Sequence, residues 1–256
     1  MLRKRIVGVI TVKDGWAVQS MGYRRYLPLG RPEILALNLD RWGADEIVLQ
    51  CIDRTSTQAG PDIAMIERVA QKGLTTPLIY LGGIHTAQQA VAVVHAGADR
   101  IAIDAMLTDE PSQVHEIEAN LGAQAIIAAL PLSVEPAGLM HRNYRTGALA
   151  PLSDTVLELM SKRIVSEVMT IDWRNDGGTA FDTRILDTFP LADIPLIAFG
   201  GLAGADQLRG VLTRKSVVAA AVGNTLNYRE HAIRHLKKAL GDLPIRAPSH
   251  ERRVDH

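Results

Sequence analysis

Two pairs of adjacent glycines follow apolar runs of similar sequence. Gly82-Gly83 ends the run 77–81, and Gly200-Gly201 ends the run 195–199. Glycine at the end of a buried strand lets backbone N–H groups approach an anion, and the N-terminus of the following helix adds a partial positive charge. The pattern therefore predicts phosphate binding, although glycines at such positions also serve plain tight turns. The candidate phosphate-binding residues are Gly82, Gly83, Gly200, Gly201, Gly223 and Asn224.

Three aspartates lie just after other apolar runs and are candidates for general acid–base catalysis. Asp53 and Asp172 follow the second and sixth runs, and Asp176 lies in the sequence Asn-Asp-Gly-Gly, which is also typical of a turn. Asp104 follows the fourth run beside the first glycine pair, where its charge would repel a phosphate. Cys51 lies inside a buried run, so we interpret it as a core residue and not as a nucleophile.

Charged residues of both signs begin four of the apolar runs. They are Arg5, Glu46, Arg100 and Glu167. These positions fall at the opposite ends of the strands from the glycines. Two acids and two bases at that end can form a ring of ion pairs across the opening. The alternative is ordinary solvated charge where each strand begins.

The elements that must position these residues alternate along the chain. Eight short apolar runs are separated by longer segments with helical periodicity, which predicts parallel strands buried on both faces. Eight strands alternating with helices in about 250 residues predict a (β/α)8 TIM barrel, and a doubly wound open sheet is the rival fold. The runs are 6–12, 46–52, 77–81, 100–103, 125–130, 167–171, 195–199 and 217–222.

An internal repeat divides the predicted barrel into two similar halves. The two Gly-Gly segments, the glutamates that begin the second and sixth strands, and Asp53 with Asp172 all lie about 120 residues apart. Because both halves close one sheet, we predict a single domain over residues 1–242. The polar segment 243–256 is predicted to be a frayed tail.

The composition excludes several classes of protein. Lys+Arg and Asp+Glu are both 28, so the formal net charge is zero, which argues against a general nucleic-acid binder. A hydrophobic fraction of 47% is enough for a sizeable core, and a single cysteine excludes an intramolecular disulfide framework. We find no run of the ~18 apolar residues that span a membrane, no signal peptide and no metal-binding histidine pattern. We therefore expect a cytoplasmic protein without metal, cofactor or membrane partner.

Several short motifs together resemble the cyclase subunit of imidazole glycerol phosphate synthase. The similarity begins with the opening residues 1–6 and Val12-Lys13-Asp14-Gly15, and it extends to about residue 240. Further matching motifs are Gly43-Ala44-Asp45-Glu46, Gly82-Gly83-Ile84-His85, Gly97-Ala98-Asp99-Arg100, Gly122-Ala123-Gln124-Ala125, Asp176-Gly177 and Phe199-Gly200-Gly201.

The resemblance implies a half-barrel duplication that binds a substrate with a phosphate at each end. It also implies a separate glutaminase subunit on the N-terminal mouth of the barrel, from which ammonia passes through a charged gate. Arg5, Glu46 and Glu167 match that gate, and Arg100 stands where the family usually has lysine.

The sequence departs from that family at the catalytic end. The cyclase needs aspartates at the ends of the first and fifth strands, where this chain has Thr11 and Pro131. Cys51 replaces an aspartate at the end of the second strand, and Asp104 replaces an asparagine of the first phosphate site. Loss of a general acid or base typically costs roughly 10²–10⁴-fold in rate. We therefore predict a divergent paralogue.

Four functions remain open at this point. The first is an ammonia-accepting synthase subunit of a two-protein glutamine amidotransferase, with a phosphorylated or nucleotide-activated sugar as acceptor. The segment 23–32 loosely resembles relatives that amidinate sugars for surface polysaccharides. The others are a genuine cyclase with acids relocated to Asp172 or Asp104, a non-catalytic activator of a glutaminase, and a sugar-phosphate isomerase.

Overall fold

Eight parallel strands close into a barrel in the computed structural model, which describes residues 3–247. The strand order is β6-β7-β8-β1-β2-β3-β4-β5, and β5 pairs with β6 to complete the circle. The predicted (β/α)8 barrel is confirmed, and the open sheet is excluded because a closed barrel has no edge strands. The strands are β1 (Arg5–Lys13), β2 (Glu46–Cys51), β3 (Leu78–Leu81), β4 (Arg100–Ile103), β5 (Ile126–Glu135), β6 (Glu167–Asp172), β7 (Leu196–Phe199) and β8 (Val217–Val222).

Helices follow the strands and cover the outside of the barrel. Thr86 and Ser153 accept hydrogen bonds from backbone N–H groups of the first turns of α4 and α7, which fixes where those helices begin. The α-helices are α1 (Pro32–Arg41), α2 (Arg54–Thr57), α3 (Ile63–Ala70), α4 (Ala87–His95), α5 (Met106–Asp109), α6 (Pro111–Leu121), α7 (Asp154–Ser161), α8 (Arg184–Asp187), α9 (Ala205–Leu212) and α10 (Ala232–Ala239). Single turns of 3-10 helix span Ala123–Ala125, Trp173–Asn175 and Asn224–Asn227.

Two antiparallel additions extend the first strand of each half. The first hairpin, Trp16–Met21 and Arg25–Gly30, continues β1. The second hairpin, Gly138–Arg142 and Leu149–Ala150, continues β5. The sequence prediction ended the fifth strand at residue 130 and contained neither hairpin, because these segments mix polar and apolar residues without a continuous apolar run and the proline after residue 130 is typical of a strand end.

The core has two layers separated by the barrel wall. Alternate residues of the strands fill the interior, where bulky side chains such as Ile79, Ile127 and Phe199 meet small ones such as Ala102 and Ala219. The other face of each strand packs against the helices. This alternation also tells which charged residues face the inside, because side chains two positions apart share a face.

The segment after α10 returns to the first strand. Lys4 donates its backbone N–H to the carbonyl of Pro244, and Arg246 donates to the carbonyl of Lys4. Ile245 packs against the core. The rest of the predicted tail, residues 248–256, lies outside the described residues. Within residues 3–247, no helix is long and apolar enough to cross a membrane.

Candidate functional site

Four charged side chains close the N-terminal mouth of the barrel. Arg5 donates to Glu46 at 2.9 Å and to Glu167 at 2.5 Å. Arg100 donates to the same glutamates at 3.2 Å and 2.8 Å. Each of the four residues lies two positions before an interior residue of its strand, so all four face inward. The structure therefore joins the predicted charges into a closed ring, which we call the charged ring.

The charged ring is largely shielded from solvent. Its side chains are between 7% and 16% exposed. Burial raises the pKa of Glu46 in spite of the neighbouring guanidinium groups of Arg5 and Arg100. One oxygen of Glu46, Oε2, is buried and accepts no hydrogen bond from the described residues. An uncharged N–H donor could pair with this oxygen.

A surface groove lies beside the charged ring. It has a volume of about 480 Å³ and is lined by Gln124, Ser166 and Asp193 among others. Arg100 connects the ring to the groove, because it also donates to the carbonyl of Gln124 at 3.0 Å and to the hydroxyl of Ser166 at 2.8 Å. A partner that fills the groove would therefore touch residues that hold the ring.

Gly200, Gly201, Gly223 and Asn224 meet at the opposite, C-terminal mouth, at the ends of β7 and β8. No described residue accepts a hydrogen bond from the N–H of Gly201. The hydroxyl of Thr225 beside it is buried and likewise unpartnered among the described residues. We call this the second-half cavity. Its volume is only about 20 Å³, and two of its lining residues, Asp176 and Asn224, are hydrogen-bonded to the first hairpin.

Asp176 and Asn224 hold the first hairpin in that position. Asp176 accepts hydrogen bonds from the hydroxyl of Ser20 at 2.6 Å and the backbone N–H of Tyr23 at 2.9 Å. The side-chain amide of Asn224 exchanges two hydrogen bonds with the backbone of Ser20. Burial raises the pKa of Asp176. Of the three predicted acid–base aspartates, Asp176 is the one that lines the second-half cavity.

Asp172 and Asp53 lie elsewhere. Asp172 faces away from the interior and accepts hydrogen bonds from Asn175 and from the backbone N–H of Asp182, which shapes the loop after β6. Burial raises its pKa. Asp53 accepts a hydrogen bond from the backbone N–H of Asp14 at the start of the first hairpin. The structure therefore does not bring the three aspartates together.

The first half of the C-terminal mouth is arranged differently. The N–H of Gly83 donates to the hydroxyl of Thr55 at 3.1 Å, and that hydroxyl donates to the carboxylate of Asp104 at 2.8 Å. Asp104 is 6% exposed, and burial raises its pKa. The first-half cavity above these residues has a volume of about 220 Å³. Its other lining residues include Tyr23, Gln50, Arg142 and Tyr144.

The first glycine of each pair has a packing role. A Cβ atom at Gly82 would lie 2.4 Å from the carbonyl oxygen of Cys51, and one at Gly200 would lie 2.5 Å from that of Asp172. The neighbouring strand therefore requires glycine at both positions, as the tight-turn interpretation expects. Cys51 itself faces the helix layer, and burial raises its pKa to about 12, so its thiol is not a nucleophile at neutral pH.

Thr11 and Pro131 face the interior at the C-terminal ends of β1 and β5. They follow Val9 and Ala129 by two positions, and both of those residues lie in the interior. The hydroxyl of Thr11 lies 3.4 Å from the side-chain oxygen of Gln50. The two positions where the resemblance implies catalytic aspartates thus point into the barrel without a carboxylate.

Sequence reasoning missed the polar residues that complete this mouth. They are Ser20, Tyr23, Gln50, Thr55 and Tyr144. Gln50 alone carried a signal, because it lies two positions after the interior residue Val48 on the same strand. The others lie on the two hairpins or, for Thr55, on the single-turn helix α2, whose positions cannot be read from periodicity.

Comparison with known proteins identifies the class of this barrel. The profile described as "Histidine biosynthesis protein" matches residues 5–232, so the chain belongs to that family. Relatives named "Imidazole glycerol phosphate synthase subunit HisF" align over nearly their full length. The Shewanella halifaxensis relative is 30% identical over 254 residues, covering 96% of this chain and 98% of the relative. The Acidobacterium capsulatum relative is 29% identical over 255 residues, with 97% and 100% covered. The Natranaerobius thermophilus relative is 27% identical over 251 residues, with 96% and 98% covered. The resemblance inferred from the motifs is confirmed.

Proposed function

We propose that the chain is the ammonia-accepting synthase subunit of a two-protein glutamine amidotransferase. A glutaminase subunit docks on the N-terminal mouth, and its ammonia enters the barrel through the charged ring. The observation that carries the proposal is the closed ring of Arg5, Glu46, Arg100 and Glu167 on the inward face of four strands. The unpartnered Oε2 of Glu46 gives ammonia a hydrogen-bond acceptor as it passes.

The acceptor is a phosphorylated or nucleotide-activated sugar, which the reaction amidinates. Ammonia forms the new C–N bond at the carbon of an amide group on the sugar whose oxygen carries the activating group. That oxygen leaves with its electron pair and the activating group, and the incoming nitrogen loses a proton, which gives the amidine. An activated leaving group departs as a stable anion and needs no general acid, which accommodates Thr11 and Pro131 in place of the expected aspartates. Asp176 lines the second-half cavity and is the proposed acid–base group.

Binding to a purified glutaminase subunit from the same organism tests this proposal. We expect a stable complex by calorimetry and a higher glutaminase turnover in the same mixture. Asp193→Lys, in the groove beside the charged ring, is expected to weaken the complex by roughly tenfold. The matched control is Arg145→Glu, a charge reversal on the loop of the second hairpin. Absence of both binding and stimulation rejects the proposal.

A genuine cyclase of imidazole glycerol phosphate synthase is the second candidate. The near full-length alignment with relatives of that name favours it. The relocated acids would be Asp172 or Asp104. The outward orientation of Asp172 and the hydrogen bond from Thr55 to Asp104 count against such a role. Growth of a histidine auxotroph that carries this gene would support the cyclase, and failure to grow with the protein well expressed would reject it.

A further inference from the structure

The two halves of the C-terminal mouth differ in the hydrogen bonding of the backbone N–H of the second glycine in each Gly-Gly pair. In the second half, no described residue accepts a hydrogen bond from the N–H of Gly201, and the hydroxyl of Thr225 nearby is buried and unpartnered in the same part of the chain. In the first half, the N–H of Gly83 already donates to Thr55, whose hydroxyl is held by Asp104. Among the described residues, the amide of the second glycine therefore lacks a hydrogen-bond acceptor in one half only.

Asp104 holds the Thr55 hydroxyl that occupies the amide of Gly83 in the first half. Its carboxylate belongs to a residue that is 6% exposed. A phosphate that approached Gly83 would meet this charge at short range, where little water screens it. There is also no room behind the glycine, because a Cβ atom there would lie 2.7 Å from the carbonyl oxygen of Gly60.

The walls of the first-half cavity match hydroxyl groups. The cavity of about 220 Å³ is lined by the phenols of Tyr23 and Tyr144, the amide of Gln50 and the carboxylate of Asp104. The hydroxyl of Tyr144 is buried and has no partner among the described residues. Arg142 also lines the cavity, and its guanidinium stacks 4.3 Å from the ring centroid of Trp173. The carboxylate of Asp104 accepts hydrogen bonds, and the phenols and the amide both donate and accept them, so this lining suits the hydroxyl groups of a ligand.

We infer that the first-half cavity binds a hydroxyl-bearing, uncharged part of the acceptor, and that the ligand carries a phosphate only at the second half. This inference rests on the proposed function and narrows its acceptor to a polyol held at one end by Asp104 and at the other by the Gly201 amide. A substrate with a phosphate at both ends would not fit.

Amide signals of Gly83 and Gly201 in ¹H–¹⁵N spectra of the full chain test the inference, with inorganic phosphate and glycerol as probes. Phosphate is expected to shift the amide signal of Gly201 and to leave that of Gly83 unchanged. Glycerol is expected to shift the amide signal of Gly83. In Asp104→Asn, phosphate should also shift the amide signal of Gly83. The affinity for phosphate at this amide should be at least roughly tenfold higher than in the unchanged chain. The matched control Asp14→Asn removes an exposed carboxylate near Asp53 and should leave the Gly83 response unchanged.

Three outcomes would overturn the inference. They are a Gly83 response to phosphate in the unchanged chain, no Gly83 response to glycerol, and an Asp104→Asn response no larger than that of Asp14→Asn. If Asp104→Asn does not fold, the first two outcomes remain decisive. None of these measurements involves the glutaminase, so a failure here is distinguishable from a failure of the proposed function.

Discussion

At the N-terminal end of the barrel, Arg5, Glu46, Arg100 and Glu167 neutralise one another. At the C-terminal end, the buried carboxylates Asp104 and Asp176 accept hydrogen bonds from hydroxyl and backbone N–H groups, and burial raises the pKa of both. The two ends therefore solve the problem of buried charge in different ways.

This difference separates charges that are paired with one another from carboxylates that are held by neutral donors. Paired charges of opposite sign satisfy each other, so the charged ring needs no ligand to be stable in its closed form. A carboxylate held by neutral donors keeps a net charge and fixes the loop that supplies the donors. Asp176 thus positions the first hairpin, and Asp104 positions Thr55. Three substitutions test the comparison.

Removal of one ring cation should have the largest effect. Arg5→Leu leaves Glu46 and Glu167 buried with a single guanidinium between them, which typically costs about 3–5 kcal/mol in the free energy of unfolding. Urea unfolding at neutral pH measures the loss. The control is Arg209→Leu, which breaks the exposed pair of Arg209 with Asp242 and should change stability little. Equal losses in the two variants would show that the ring pairs are no stronger than surface pairs.

Loss of the hairpin carboxylate should have a smaller and local effect. Asp176→Ala leaves the hydroxyl of Ser20 and the N–H of Tyr23 without their acceptor, at about 1–3 kcal/mol for each group that stays buried. We expect faster hydrogen exchange at the Tyr23 amide, with unchanged exchange at Leu139 in the second hairpin. Asp176→Asn keeps one acceptor oxygen and should lie between the two. Unchanged exchange at Tyr23 would mean that the carboxylate does not hold the hairpin.

The pH dependence of stability should give the smallest effect. Because burial raises the pKa of Asp104, the folded state binds its proton more tightly than the unfolded state. The destabilising charge is relieved as the pH falls through the folded-state pKa. The stability of the unchanged chain relative to Asp104→Asn should therefore rise as the pH falls toward 3.8, the ordinary pKa of an aspartate.

The exposed carboxylate of Asp14 provides a control in which stability should change with pH in the opposite direction. Lys13 lowers the pKa of Asp14 by a side-chain hydrogen bond and by its charge. The stability of the unchanged chain relative to Asp14→Asn should therefore fall as the pH drops below 3.8, the ordinary pKa of an aspartate. Parallel curves for the two variants would contradict the assignment of Asp104 as a buried, charged group.

The barrel strands and the charged ring could be predicted because both depend on local patterns. The fourth and eighth strands were predicted at residues 100–103 and 217–222, the bounds that the structure gives. The two Gly-Gly pairs marked the duplication, and the structure adds Gln89 and Gln207, which each accept a hydrogen bond from a backbone N–H four residues earlier. These glutamines occupy equivalent places in the two repeats, so the sequence carried that signal as well.

The C-terminal mouth could not be predicted to the same depth. Ser20 and Asp176 are 156 residues apart, and Thr55 and Asp104 are 49 apart. Such pairs depend on how loops return across the barrel, which periodicity does not encode. The outward orientation of Asp172 was accessible in principle, since strand alternation separates it from the interior residue Ile171.

Under the proposed function, the charged ring would also discriminate between solutes by their charge. It contains two cations and two anions, so its net charge is zero and its field falls off steeply with distance. An ammonium ion would have to displace an arginine from two glutamates, and a chloride or phosphate ion would have to displace a glutamate from two arginines. An uncharged molecule the size of ammonia competes for single hydrogen bonds and leaves the ion pairs in place. Under the proposed function, a neutral solute therefore meets a lower barrier at the charged ring than an ion does.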